Sequence, residues 1–111
     1  MTTLTTHVLD VAAGKPAAGI AVTLARIGAT ERHVVAEAIT NADGRTDAPL
    51  GFELEAGTYE LVFSVGSYFA ATERPTFYAD VPIRIVVEAG ARHYHVPLLL
   101  SPFGYSTYRG S

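Results

Sequence analysis

The strongest constraint on the fold is an alternation of apolar and polar side chains that restarts in one short run after another. Val81, Ile83, Ile85 and Val87 share one parity, opposite Pro82, Arg84 and Val86. Tyr59, Leu61, Phe63 and Val65 likewise oppose Glu60, Val62 and Ser64. Successive side chains of a β-strand point to opposite faces, so each run buries one face and leaves the other for solvent or an interface. Strands are predicted at Leu4–Leu9, Ile20–Ile27, Arg32–Thr40, Tyr59–Val65, Val81–Val87, Arg92–Leu99 and Tyr105–Tyr108, with a short one near Phe52–Leu54. Gly, Pro, Asn and Asp punctuate them at Ala13–Pro16, Ile27–Gly28, Asn41–Gly44, Glu55–Gly57, Ala89–Gly90 and Ser101–Gly104. Only Ser67–Thr72 breaks the rhythm. Ser67 suits an N-cap, two alanines follow, and Pro75 lies just beyond, so a single short helix is expected there. The class is all-β, a sandwich or barrel.

Composition narrows the function. At 111 residues, 49% of them hydrophobic, the chain fits one domain spanning residues 1–111. A core this small favours oligomerisation. The formal charge of −3, without a basic stripe, argues against a nucleic-acid partner. Cysteine is absent, which removes disulfides and thiolate chemistry. No apolar run reaches the roughly 18 residues of a membrane span. The opening residues lack the regions of a signal peptide, so the cytoplasm is the expected location. Of the basic residues only Lys15 is a lysine, and arginine is the better fork for planar anions. No G-x-S-x-G, P-loop, H-E-x-x-H or GxGxxG motif is present.

Histidine is the side chain best suited to proton transfer near neutral pH. His93 and His95 share one face of their strand, opposite Tyr94, Val96, Leu98 and Leu100. His7 lies on another strand, whose two faces both carry a leucine. If those strands are neighbours, His7 and His95 could meet at one polar site. The competing readings are unrelated surface histidines, or a three-histidine zinc site. Arg45 follows the turn Asn41–Gly44 and could grip a carboxylate or carbonyl oxygen, or could be a solvated arginine paired with Asp43 or Asp47. The sequence stops at Tyr108-Arg109-Gly110-Ser111, directly after a predicted strand. This end is either used or simply a strand that runs out.

Several stretches resemble the transthyretin-like 5-hydroxyisourate hydrolase family of urate breakdown. They are Thr6-His7-Val8-Leu9-Asp10, Gly14-Lys15-Pro16-Ala17, Asp43-Gly44-Arg45, Phe69–Thr72, Pro75–Tyr78, and Tyr94 to Pro102 running into Tyr105–Ser111. The terminal Tyr-Arg-Gly-Ser is the most specific of them, and transthyretin, the hormone carrier, lacks it. Ala79 departs from the pattern, since many relatives place proline there. The resemblance implies a two-sheet sandwich of about eight strands with one short helix, assembled as a homotetramer. It implies active sites at the interface between dimers, lined by His7, Arg45, His95, Tyr108, Arg109, Gly110 and Ser111. The implied reaction is hydrolysis of 5-hydroxyisourate to 2-oxo-4-hydroxy-4-carboxy-5-ureidoimidazoline, with no metal or organic cofactor. A histidine would act as base, His7 being favoured with His95 as its partner or as proton donor to the leaving nitrogen, and Arg45 would hold the substrate's carbonyl oxygen or anionic edge. The alternatives are a non-catalytic carrier of small molecules on the same fold and a metal-dependent hydrolase.

Overall fold

The computed structural model describes residues 2–111. In chain order its elements are β1 (Thr2–Asp10), β2 (Lys15–Pro16), β3 (Ala21–Ile27), β4 (Arg32–Ile39), β5 (Gly51–Leu54), β6 (Gly57–Phe63), α1 (Val65–Ala71), β7 (Val81–Val87), β8 (His93–Ser101) and β9 (Gly104–Thr107). One sheet runs β2-β1-β8-β9, with β5 pairing the start of β1; the other runs β4-β3-β6-β7. Both line one hydrophobic cluster: Leu4, Val8, Val96, Leu98 and Leu100 from the first, Leu24, Tyr59, Leu61, Phe63, Val81 and Val87 from the second. The fold is therefore the expected two-sheet sandwich, with nine strands among the described residues because the two-residue β2 also pairs.

The core settles the ambiguous first strand. Leu4, Thr6, Val8 and Asp10 point inward, and Thr3, Thr5, His7 and Leu9 lie half-buried on the outer face. Thr6 is tolerated inside because its hydroxyl donates to the Val96 carbonyl at 2.7 Å. The β1–β8 pair is parallel, running from Thr3 opposite His93 to Asp10 opposite Leu100. A parallel pair needs a long crossover, and here nearly the whole chain lies between the partners.

The helix begins two residues before the expected Ser67. Val65, read as the end of a strand, is its first residue, and Ser64 takes the N-cap position without a side-chain hydrogen bond. Packing outweighed capping: Val65, Tyr68 and Phe69 fall on one face and are all buried. At the other end Glu73 N–H donates to the Ala70 carbonyl and Arg74 N–H to the Phe69 carbonyl. This is a Schellman ending, with Glu73 at φ +55° in the left-handed position usually given to glycine.

That ending delivers Arg74 to a buried carboxylate. Asp10 is fully buried. Its Oδ2 accepts from Arg74 at 2.6 Å and from the Tyr68 hydroxyl at 2.7 Å, and its Oδ1 from Ala13 N–H at 2.9 Å. Burial by itself would raise the Asp10 pKa, but these hydrogen bonds and the Arg74 charge outweigh it and hold the pKa at about 2. One ion pair thus ties the helix to the end of β1.

Candidate functional site

The parallel register creates the site. It sets Thr5 opposite His95 and His7 opposite Pro97, so the two histidines are diagonal neighbours on the outer face of β1 and β8. His7 and His95 are both half-buried. The neighbourhood of the two strands, left conditional by the sequence, is thus present.

Arg45 reaches this face through the turn that precedes it. The Asn41 Oδ1 accepts from the backbone N–H groups of Asp43 at 2.9 Å and Arg45 at 3.2 Å. Asn41 N–H donates to the Arg45 carbonyl, and Val8 N–H to the Gly44 carbonyl, both at 2.8 Å. Gly44 has φ +75°, and a Cβ there would strike the Val8 carbonyl oxygen, so only glycine lets the turn dock on β1. The result is an isolated bridge between His7 and Arg45. Neither Asp43 nor Asp47 neutralises Arg45, and Asp47 instead takes a hydrogen bond from the Asn41 amide at 2.9 Å. Among the described residues Arg26, Arg32, Arg74 and Arg84 are in ion pairs; Arg45 is exposed with its charge uncompensated.

The tail folds back over β8. Gly110 N–H donates to the His95 carbonyl at 2.8 Å. A Cβ on Gly110 would come within 2.6 Å of His95 Cδ2, so the missing side chain is what lets the backbone lie against the imidazole. Arg109 goes elsewhere. Its guanidinium sits over the Tyr94 ring, 4.2 Å from the centroid, and donates to the His93 carbonyl at 3.2 Å. Tyr94 has the opposite parity to His95, so Arg109 clamps the tail from the far side of the strand. Tyr108 is exposed and, with Arg109, borders a groove shared with Ile83 and Ile85 of β7. Ser111 is exposed and follows Gly110 directly. The structure therefore gathers His7, Arg45, His95 and Gly110, and leaves the side chains of Tyr108 and Arg109 off that cluster.

The electrostatics favour a neutral imidazole. Burial pushes the His95 pKa below 6.5, and the Arg45 charge, joined by His7 and His93 whenever they carry a proton, pushes in the same direction. A neutral imidazole can take a proton from water, and a free guanidinium beside it can hold a developing oxyanion. Among the described residues no three His, Asp or Glu side chains are arranged to hold a metal ion. His33 lies on β4 in the other sheet, opposite Arg26 of β3. Sequence reasoning missed Thr3 and Thr5. Both hydroxyls lie within hydrogen-bond distance of His93, and Thr5 also reaches His95 at 2.8 Å. The same parity that aligned His93 with His95 held the signal, in the Thr3, Thr5, His7 series.

Comparison with known proteins agrees along the whole chain. A sequence model described as "Transthyretin: HIUase/Transthyretin family" matches residues 4–110. A 5-hydroxyisourate hydrolase of Deinococcus radiodurans is 54% identical, over 97% of this chain and 95% of its own. The structure of the Klebsiella pneumoniae 5-hydroxyisourate hydrolase superposes with a TM-score of 0.89 at 41% identity, covering all of both chains. Sea bream transthyretin in complex with thyroxine superposes with a TM-score of 0.91 at 28% identity, over 97% of this chain and 94% of that one.

Proposed function

This chain belongs to the HIUase/Transthyretin family, and on that premise we propose that it hydrolyses 5-hydroxyisourate to 2-oxo-4-hydroxy-4-carboxy-5-ureidoimidazoline, a step of urate breakdown. Water adds to the ring carbonyl carbon, the carbonyl oxygen becomes an oxyanion, and the acyl C–N bond then breaks. The carbon leaves as a carboxylate and the nitrogen takes up a proton. A neutral histidine removes the proton from water, and Arg45 faces the oxyanion. His7 and His95 share the roles of base and of proton donor to the leaving nitrogen. Gly110 keeps the tail against His95, and Ser111, the next residue, would orient substrate or water.

The observation that carries this reading is the uncompensated Arg45 beside His7 and close enough to His95 to depress its pKa. A cation anchored through its backbone beside His7, with no carboxylate to neutralise it, suits an anionic transition state. In the lone chain the cluster is an open shelf, with Arg45 and Ser111 exposed. A second copy would close it, in keeping with a homotetramer whose sites lie between dimers.

The sandwich itself does not separate hydrolase from carrier, because transthyretin superposes equally well. The decisive test is the decay of freshly generated 5-hydroxyisourate, followed by ultraviolet absorbance. Acceleration proportional to protein concentration is expected, and it should survive a chelator. Decay at the spontaneous rate would overturn the proposal in favour of a carrier.

A further inference from the structure

The outer face of β1 and β8 carries a hydrogen-bond ladder that ends on His95. Thr3 Oγ1 lies 3.5 Å from the Arg92 carbonyl oxygen and 2.8 Å from His93 Nδ1. His93 Nε2 lies 3.2 Å from Thr5 Oγ1, which lies 2.8 Å from His95 Nδ1. Each hydroxyl has one proton, and each neutral imidazole has one N–H and one bare nitrogen. A hydroxyl can also accept twice, so the direction is set only where one proton is committed; from that end each neutral ring and each hydroxyl fixes the next bond.

The fixed end is the Arg92 carbonyl, which can only accept. Thr3 donates its proton there, so its oxygen accepts from His93 Nδ1–H. His93 Nε2 is then bare and accepts the Thr5 proton. The Thr5 oxygen accepts in turn from His95 Nδ1–H. His95 is left with a lone pair on Nε2, the ring nitrogen that bonds nothing in the ladder.

We propose that the Thr3-His93-Thr5 ladder is a positioning device that fixes His95 as its Nδ1–H tautomer and so presents Nε2 as a proton acceptor. Thr5 and His93 touch no substrate in this scheme and act through His95. The tautomer locked here is the one a free imidazole in water populates less, so without the ladder much of the base is lost. This rests on the hydrolase reading only for its catalytic consequence; the tautomer itself can be read without substrate.

The test has two arms. In ¹⁵N-labelled protein with neutral rings, two-bond proton–nitrogen correlations should give His95 as Nδ1–H, its signals being identified by their loss in His95→Gln. In Thr5→Val, a change that keeps size and strand propensity, the same signals should move towards the Nε2–H form. Because a positioned acid–base group contributes 10²–10⁴-fold, partial loss of the correct tautomer should lower kcat about tenfold while KM stays within about twofold. Thr5→Ser should restore both the tautomer and kcat, and His93→Phe should mimic Thr5→Val. An Nε2–H His95 in the unmodified protein would overturn the proposal, as would an unchanged tautomer or kcat in Thr5→Val. Absence of hydrolysis in the unmodified protein would instead sink the hydrolase reading and leave the spectroscopic arm to judge the ladder.

Discussion

Replacing Arg74 by Met should expose how much of the stability rests on one buried carboxylate. The guanidinium holds Asp10 at 2.6 Å, and Asp10 is wholly buried, whereas the Arg74 side chain is 28% exposed. Lowering the Asp10 pKa from 3.8 to about 2 is worth about 2.4 kcal/mol at neutral pH. Removing one partner of a buried pair costs about 3–5 kcal/mol, and the partial exposure of Arg74 puts this case near the lower end. For a chain of 111 residues, about 3 kcal/mol corresponds to a fall in Tm of roughly 10 °C.

The pH dependence separates charge from packing. Because the folded pKa is depressed, the stabilisation is complete above 3.8, falls to about half near pH 3 and vanishes below about 2. The deficit of Arg74→Met should therefore shrink by about 1.1 kcal/mol, roughly a third of the whole, between pH 7 and pH 3. Urea unfolding at both pH values, at one protein concentration, measures it. What persists in acid is the loss of Arg74 packing over the Phe69 ring, 5.0 Å from its centroid. A deficit of the same size at both pH values would refute the ion-pair account.

Further expectations concern the site. His7→Ala, Arg45→Ala and His95→Ala should each lower kcat/KM about 100-fold or more with the fold retained by circular dichroism, while His33→Ala should behave as the parent chain. Because burial and the neighbouring cations hold His95 below 6.5, the acid limb of the kcat/KM profile should lie below that value. Arg45→Gln should move the limb upward even as the rate falls. Gly110→Ala brings a methyl within 2.6 Å of the His95 ring, so kcat should fall severalfold or more with little change in Tm. Deleting Arg109–Ser111 should do the same or worse, and a fully active truncation would show the tail to be a bystander.

The alternating pattern alone fixed much of the architecture. Parity correctly assigned the buried faces of β6, β7 and β8, because one slip along a strand would carry every core side chain to the wrong face. The helix was found but begun late, since its start is set by burying Val65 and no capping residue announces it. Parity could likewise say that His93 and His95 share a face. It could not say which strand lies beside them, because pairing between β1 and β8 joins residues some ninety positions apart. The outcome for Arg45 and Arg109 also lay outside any local pattern. Their composition is alike, yet one is held by the Asn41 turn beside His7 and the other is spent on Tyr94. Local periodicity specifies which way a side chain points; only the closing of the sheets specifies what it meets.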